Sequence, residues 1–231
     1  MDFLFDSFLS AIKLLVSLDA ALIDIVSVSL KVSISSTLIS CFIGLPAGFI
    51  LSTYEIPFKR TIITLLNTLL ALPTVVIGLF VYAFISRNSI FGTYDLLYTQ
   101  KAIIIGQSIL IIPIVTVFTL TAISRIDKRY RKTALTLGAD QIQTARIILI
   151  EARFGITAAI VAAFGRVISE IGISMMLGGN IRGFTRTMTT SMALQYDKGE
   201  FVLAVALGFI LLTISLFVNI MLNYFQGKSS A

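Results

Sequence analysis

Histidine is absent from this 231-residue chain, and cysteine occurs once, as Cys41 in the middle of an apolar run. Without histidine the chain lacks the commonest general base and metal ligand, which argues against an intramembrane hydrolase or metalloenzyme. A single cysteine cannot form a disulfide within the chain, and in apolar surroundings it reads as a small packing residue rather than a thiolate site. No G-x-x-x-x-G-K-[S/T] phosphate loop is present, so this chain does not supply an ATPase. Charge is scarce as well, at 13% of residues.

What fills the chain instead is hydrophobic: 57% of residues, with a mean hydropathy of +0.97. A water-soluble domain of this composition could not cover its surface with polar groups. The chain is therefore expected to be an all-α polytopic membrane protein. Stretches free of Asp, Glu, Lys and Arg run over Val32–Tyr54, Thr61–Ser86, Ala102–Ser124 and Phe201–Gly227, each long enough for a membrane helix of about 20 residues. Phe154–Ile181 is interrupted only by Arg166 and Glu170. It is counted as a span with two buried charges, for about five transmembrane helices in residues 25–227.

Residues 1–24 differ. Phe5, Phe8, Leu9, Ile12, Leu15 and Val16 recur at spacings of three and four between Asp6, Lys13 and Asp19, a pattern that predicts an amphipathic helix at the bilayer surface. A sixth span is the alternative. The segment begins with Asp2 and Asp6 where a signal peptide would begin with positive charge. Basic residues in short loops set the orientation. Lys59 and Arg60 follow the first span, and Arg125, Lys128, Arg129, Arg131, Lys132, Arg146 and Arg153 follow the third. Both loops are expected in the cytoplasm, with the N-terminus outside and the C-terminus inside. This bias accounts for most of the net charge of +6 and calls for no nucleic acid.

The loop at about 125–153 has structure of its own. The stretch Asp127–Leu137 has a helical pattern, and Gly138 stands where a helix C-terminus takes a left-handed turn. Asp140 and Gln143 form a D-x-x-Q capping box that starts a second helix, which runs through "TARIILIEARFG" into the next span. The loop is thus a helical hairpin whose basic first limb lies against the cytoplasmic face or a cytoplasmic partner. On physical grounds alone, anionic lipid headgroups serve equally well as that surface.

The hairpin resembles the EAA loop of ABC importer permeases, E-A-A-x3-G-x9-I-x-L-P. With the glycine on Gly138, Lys132, Thr133 and Ala134 fall at E-A-A and Ile148, Ile150 and Glu151 at I, L and P. Ala134, Gly138 and Ile148 match, Ile150 is conservative, and Lys132, Thr133 and Glu151 depart. Further along, Arg166, Glu170 and Gly172, then Gly179, Asn180, Ile181, Gly183 and Thr185, resemble the R-x-x-x-E-x-G and G-N-I-x-G-x-T pattern of sulfate, molybdate and tungstate permeases. "GLPAGF" (Gly44–Phe49) and "LPTVVIGL" (Leu72–Leu79) are similar to the same family. "TRTMTTSM" and Glu151-Ala152-Arg153 look most like its tungstate branch.

The resemblance implies the permease subunit of an ATP-driven oxyanion importer in a prokaryotic cytoplasmic membrane. It implies a second copy of the chain, two cytoplasmic ATPase subunits that bind the ATP and Mg, and an extracytoplasmic anion-binding protein. No cofactor is expected in this chain. Lys132, Thr133, Ala134, Leu137, Gly138, Ala139 and Asp140 would then form the coupling helix and its turn, seated in an ATPase groove. A molybdate or sulfate permease is the alternative within the family. A secondary transporter would show an internal repeat with paired broken helices, and none is visible among these spans.

Arg166 and Glu170 lie one helical turn apart near mid-bilayer, where charges are costly and face a cavity or the bundle interior. They are either a buried pair that fixes helix packing or part of a gate, together with Gly179, Asn180 and Thr185. Arg182 and Arg186 would add positive potential at the outer mouth or contact the binding protein. Ser36, Ser40, Gly44 and Gly48 make a small-residue stripe suited to close helix packing. Pro46, Pro73 and Pro113 mark sites where a helix can kink.

Overall fold

Asp19 opens the first helix, its Oδ1 accepting hydrogen bonds from the backbone N–H groups of Ala21 (2.8 Å) and Leu22 (3.3 Å). The computed structural model describes residues 12, 13, 17 and 19–227. Its helices are α1 (Ala20–Thr53), α2 (Lys59–Leu70), α3 (Thr74–Ile85), α4 (Gln100–Ser124), α5 (Lys128–Thr136), α6 (Gln141–Glu151), α7 (Arg153–Ile168), α8 (Gly172–Gly178), α9 (Met188–Asp197) and α10 (Phe201–Gly227). No strand occurs among the described residues. Helix is the expected answer in lipid, because it satisfies its own backbone polar groups.

α1, α4 and α10 are each long and apolar enough to cross a membrane unbroken, and two bent pairs, α2 with α3 and α6 with α7, bring the spans to five if each pair counts as one. The all-α polytopic architecture thus agrees with the sequence, while the straightness of two spans does not. The apolar run Thr61–Ser86 is no single helix: α2 and α3 meet at 103°. Pro73, the N-cap of α3, offers no N–H to continue α2, and a residue before proline is pushed out of the helical region. Phe154–Ile181 likewise ends as a helix at Ile168 and resumes as α8. Pro46 and Pro113, by contrast, lie inside continuous helices.

The first span also begins earlier than the charge-free run. α1 has 34 residues, about 50 Å at 1.5 Å per residue against a hydrocarbon core of about 30 Å. Residues 20–24 therefore continue the helix of the first span. The rest of the expected surface helix lies outside the described residues apart from 12, 13, 17 and 19.

α1 and α4 form the central pair, and the small-residue stripe is their contact. Ser36 and Ser40 are fully buried. Ser40 Oγ donates to the Ser36 carbonyl at 2.8 Å and reaches the Ser108 carbonyl of α4 at 3.2 Å. A Cβ on Gly44 would stand 2.9 Å from Val115, and one on Gly48 2.6 Å from the Thr116 carbonyl oxygen. Gly48→Ala is expected to lower the thermal midpoint of the detergent-purified protein. Overpacking costs about 1–3 kcal/mol, while the helix-propensity gain from glycine to alanine is at most about 1 kcal/mol. The clashing atom is backbone and cannot swing away, so the cost wins. An unchanged midpoint would mean that the two helices do not meet at Gly48.

Candidate functional site

The hairpin of α5 and α6 is built from local signals. Asp127 Oδ1 accepts from Arg129 N (2.9 Å) to start α5. Gly138, at φ +85°, turns the chain, with Ala139 N donating to the Ala134 carbonyl at 3.0 Å. Asp140 then caps α6: Gln143 N donates to Asp140 Oδ1 at 2.7 Å and Asp140 N to Gln143 Oε1 at 3.0 Å, the reciprocal box expected from the sequence. Of the turn residues, Ala134 is buried and Ala139 half-buried, while Lys132, Thr133, Leu137, Gly138 and Asp140 are exposed. Leu137 and Ile142 are the most prominent, at 81% and 80% exposure. Two such exposed apolar side chains mark a contact surface, for a protein partner or for the membrane.

The hairpin is fastened to the membrane helices at two places, and its limbs meet at a third. Arg131 Nη1 donates to the Thr53 carbonyl, a free acceptor in the last turn of α1, at 3.3 Å. Ile123, Ile148 and Ala152 pack with Phe49, Ile126 and Ile156. The Tyr130 phenol is pushed above its ordinary range, first by the nearby Glu151 carboxylate and then by its hydrogen bond to it. Glu151 occupies the position where the EAA pattern has proline, so this departure sets a carboxylate at the foot of the second limb beside the first. α6 does not run straight into the membrane as expected: it joins α7 at Ala152 through a 66° bend. The backbone bonds Ala152 N to Ile148 O and Ile156 N to Ala152 O, at 2.9 and 3.0 Å, carry through the corner.

At the far end of α7, Arg166 Nη1 lies 2.6 Å from Glu170 Oε2. The pair is asymmetric: the Arg166 side chain is 39% exposed and that of Glu170 3%. Glu170 also lies beyond the helix, which ends at Ile168. Its other oxygen, Oε1, accepts from Ile173 N at 3.3 Å, and its carbonyl accepts from Thr189 Oγ1 at 2.9 Å. Glu170 therefore stitches the break between α7 and α8, and Arg166 holds the exposed end of the ion pair.

Gln107 completes this centre, and the sequence reading passed over it. It is 1% exposed. Its Oε1 accepts from Ser36 Oγ at 3.0 Å, and its Nε2 faces the Val167 carbonyl at 3.3 Å and Ser174 Oγ at 3.4 Å. One amide thereby joins α1, α4, α7 and α8. The available signal was a glutamine inside a charge-free apolar run, since a buried amide must find partners.

The residues Gly179, Asn180, Thr185 and Arg186 come together in one loop after α8. Gly179, Asn180 and Gly183 all have positive φ, at 66°, 51° and 73°. Thr185, fully buried, donates to the Gly178 carbonyl at 2.5 Å and accepts from Ile181 N at 3.0 Å. Arg186 Nε and Nη2 grip the Oδ1 and carbonyl of Asn180, each at 3.2 Å, so much of its hydrogen-bonding capacity serves the loop. Arg182 is exposed. A Cβ on Gly179 would lie 2.7 Å from the Tyr98 ring, and Gln100 Nε2 bonds the Phe184 carbonyl at 2.6 Å. The loop is thus pinned to the start of α4.

Broken spans, an intramembrane arginine and a helical knob on the basic side define a class: the membrane-spanning permease subunit of an ABC importer, a multi-pass protein of the inner membrane. The chain belongs to the family of binding-protein-dependent transport system inner membrane components, whose pattern matches residues 44–230. It is 34% identical to the tungstate uptake system permease protein TupB of Peptoclostridium acidaminophilum, over 99% of this chain and all of the relative. It is 35% identical to TupB of Campylobacter jejuni, over 95% of this chain and 92% of the relative. Sulfate and molybdenum transport permeases are similar at 24–26% identity. Among solved structures, the inward-facing MetNI methionine ABC transporter matches with a TM-score of 0.70 at 17% identity, covering 88% of this chain and 94% of that one. A bacterial alginate ABC transporter in complex with its pentasaccharide-bound periplasmic protein matches at 0.73 and 17%, covering 90% and 78%. These structures share the fold.

Proposed function

We propose that this permease subunit carries tungstate into the cell. The observation that supports this reading most is similarity to tungstate uptake permeases along nearly the whole chain, about ten percentage points above that to sulfate permeases. In the working assembly two copies of the chain enclose the route. Two ATPase subunits, which bind the ATP and Mg, dock on the hairpins, and an extracytoplasmic binding protein delivers the anion. The N-terminus lies outside and the C-terminus inside.

Arg166, near mid-membrane and more than a third exposed, attracts the dianion. Glu170, shut away, limits how tightly it is held. Gly179, Asn180, Thr185 and Arg186 shape the rim above, and Arg182 raises the positive potential at the mouth. Leu137 and its neighbours Lys132, Thr133, Ala134, Gly138, Ala139 and Asp140 present the knob to the ATPase. The test is uptake by proteoliposomes holding the permease, its ATPase and the binding protein. Tungstate entry that needs internal ATP and withstands excess sulfate is the expected result. Entry that persists without ATP would point to a secondary transporter, and preferential uptake of molybdate or sulfate would reassign the anion.

A further inference from the structure

α2 buries none of its residues in the protomer, yet it is not uniformly apolar. At 3.6 residues per turn, Arg60, Thr61, Thr64, Asn67 and Thr68 fall within one arc of about 120°, with Ala71 the only apolar residue among them. All five are exposed. Ile62 and Leu66, on the opposite side, are half-buried against α4, Ile63 and Leu65 flank the arc, and Leu65 and Leu69 are exposed at 60% and 39%.

The position of the arc along the membrane follows from its two ends. At the inner end Lys59 Nζ bonds the Tyr54 carbonyl and Glu55, each at 3.1 Å, just past the end of α1. At the other end Leu69 and Leu72 line one cavity with Leu110 and Pro113, the middle of α4. α2 therefore runs from the cytoplasmic surface to mid-membrane. Beyond the elbow, Thr74 and Glu170 both lie against Gly172: a Cβ there would be 3.0 Å from Thr74 Oγ1 and 3.3 Å from Glu170 Oε1. Polar residues thus lie on both sides of the elbow, with the apolar stretch 69–73 between them.

Lipid is the wrong neighbour for this arc. Thr64 and Thr68 return their hydroxyl hydrogens to the carbonyls of Arg60 and Thr64, each at 2.9 Å, so threonines alone would be tolerated in hydrocarbon. Asn67 would not be, with an amide that finds no partner among the described residues. We infer that the arc Arg60, Thr61, Thr64, Asn67 and Thr68 lines the cytoplasmic half of the anion route, facing the same arc of a second copy. The inference deepens the proposed oxyanion function and rests on its dimer. The wall is incomplete without that copy. Its chemistry suits passage: the Thr64 and Thr68 hydroxyls, committed to the backbone, keep the wall wet, and Asn67 and then Arg60 offer the anion donors toward the cytoplasmic end.

The experiment labels the whole transporter in inverted membrane vesicles, in a Cys41→Ala background, and then reads uptake after the labelled protein is reconstituted with its binding protein in proteoliposomes holding internal ATP. Single substitutions Thr61→Cys, Thr64→Cys and Thr68→Cys are compared with Leu65→Cys and Leu69→Cys, using a small anionic methanethiosulfonate. Thiols in water ionise and react where thiols in hydrocarbon do not, so the threonine positions should react at least about tenfold faster than the leucine positions. Their modification should stop ATP-driven uptake. Threonine to cysteine is nearly isosteric, and retention of the ATPase on purification reports assembly at each position. Equal rates at the two sets, or uptake that survives complete modification, would overturn the inference while leaving the oxyanion reading intact. Fast labelling of the threonine set in a transporter that takes up no oxyanion would refute the proposed substrate and leave the arc standing as an aqueous wall.

Discussion

Arg166→Ala is expected to reduce the amount of permease in the membrane severalfold, and Arg166→Ala combined with Glu170→Gln to restore it. Glu170 is 3% exposed, and its carboxylate has Arg166 as its only cationic partner among the described residues. Removing that partner strands a buried charge, which costs about 3–5 kcal/mol in a fully buried pair. The exposed side of Arg166 places the cost toward the lower end, since solvent screens the pair. Glutamine is the right second change because Glu170 Oε1 accepts from Ile173 N. An amide oxygen preserves that bond at the start of α8, whereas alanine would orphan the N–H.

Uptake separates structure from transport. With Arg166 serving the anion, the double variant assembles with its ATPase and still takes up little tungstate, while Arg166→Lys retains part of the activity through its charge. Wild-type uptake by the double variant would reduce the pair to a packing element. A single variant of normal abundance would mean that Glu170 is not stranded without Arg166.

Gly138→Val is expected to abolish coupling while leaving the permease in the membrane. The space around Gly138 is open, with nothing within 4 Å of a Cβ, so crowding is not the cause. The cause is φ of +85°, a left-handed conformation that costs an ordinary L-residue about 1–2 kcal/mol and a β-branched one more. The turn relieves that strain by opening, which moves Leu137 and Ile142 relative to one another and breaks the reciprocal cap at Asp140. Since the membrane helices keep their contacts, abundance should hold while ATPase retention and uptake fall together. Gly138→Asn, which tolerates this conformation, should keep most of the function. Equal uptake by the valine and wild-type proteins would remove the hairpin from the mechanism.

The hairpin was legible because its determinants are local. Asp127, Gly138 and the Asp140–Gln143 box each act over three or four residues, and the basic limb excludes itself from hydrocarbon whatever surrounds it. The apolar runs were legible for the same reason, being long enough to demand a membrane. The elbow at Leu72-Pro73 was written in the sequence as well, since proline acts on the residue before it. A hydropathy count passes over it because the elbow leaves the run apolar. The polar arc of α2 escaped in the same way: averaging along a window discards the angle at which each threonine points.

The chain's sequence by itself therefore determined the class, the membrane and the charged knob, all of which follow from composition and short-range rules. Tertiary structure alone decided the second break. Nothing at Ser169-Glu170-Ile171 forbids a helix, and α7 ends there because distant groups take over its polar atoms. Thr189 occupies the Glu170 carbonyl, and Gln107 lies beside the Val167 carbonyl. In lipid a helix can stop only where such partners wait for its backbone. Those partners are brought by α4 and α9, from positions that no local pattern connects.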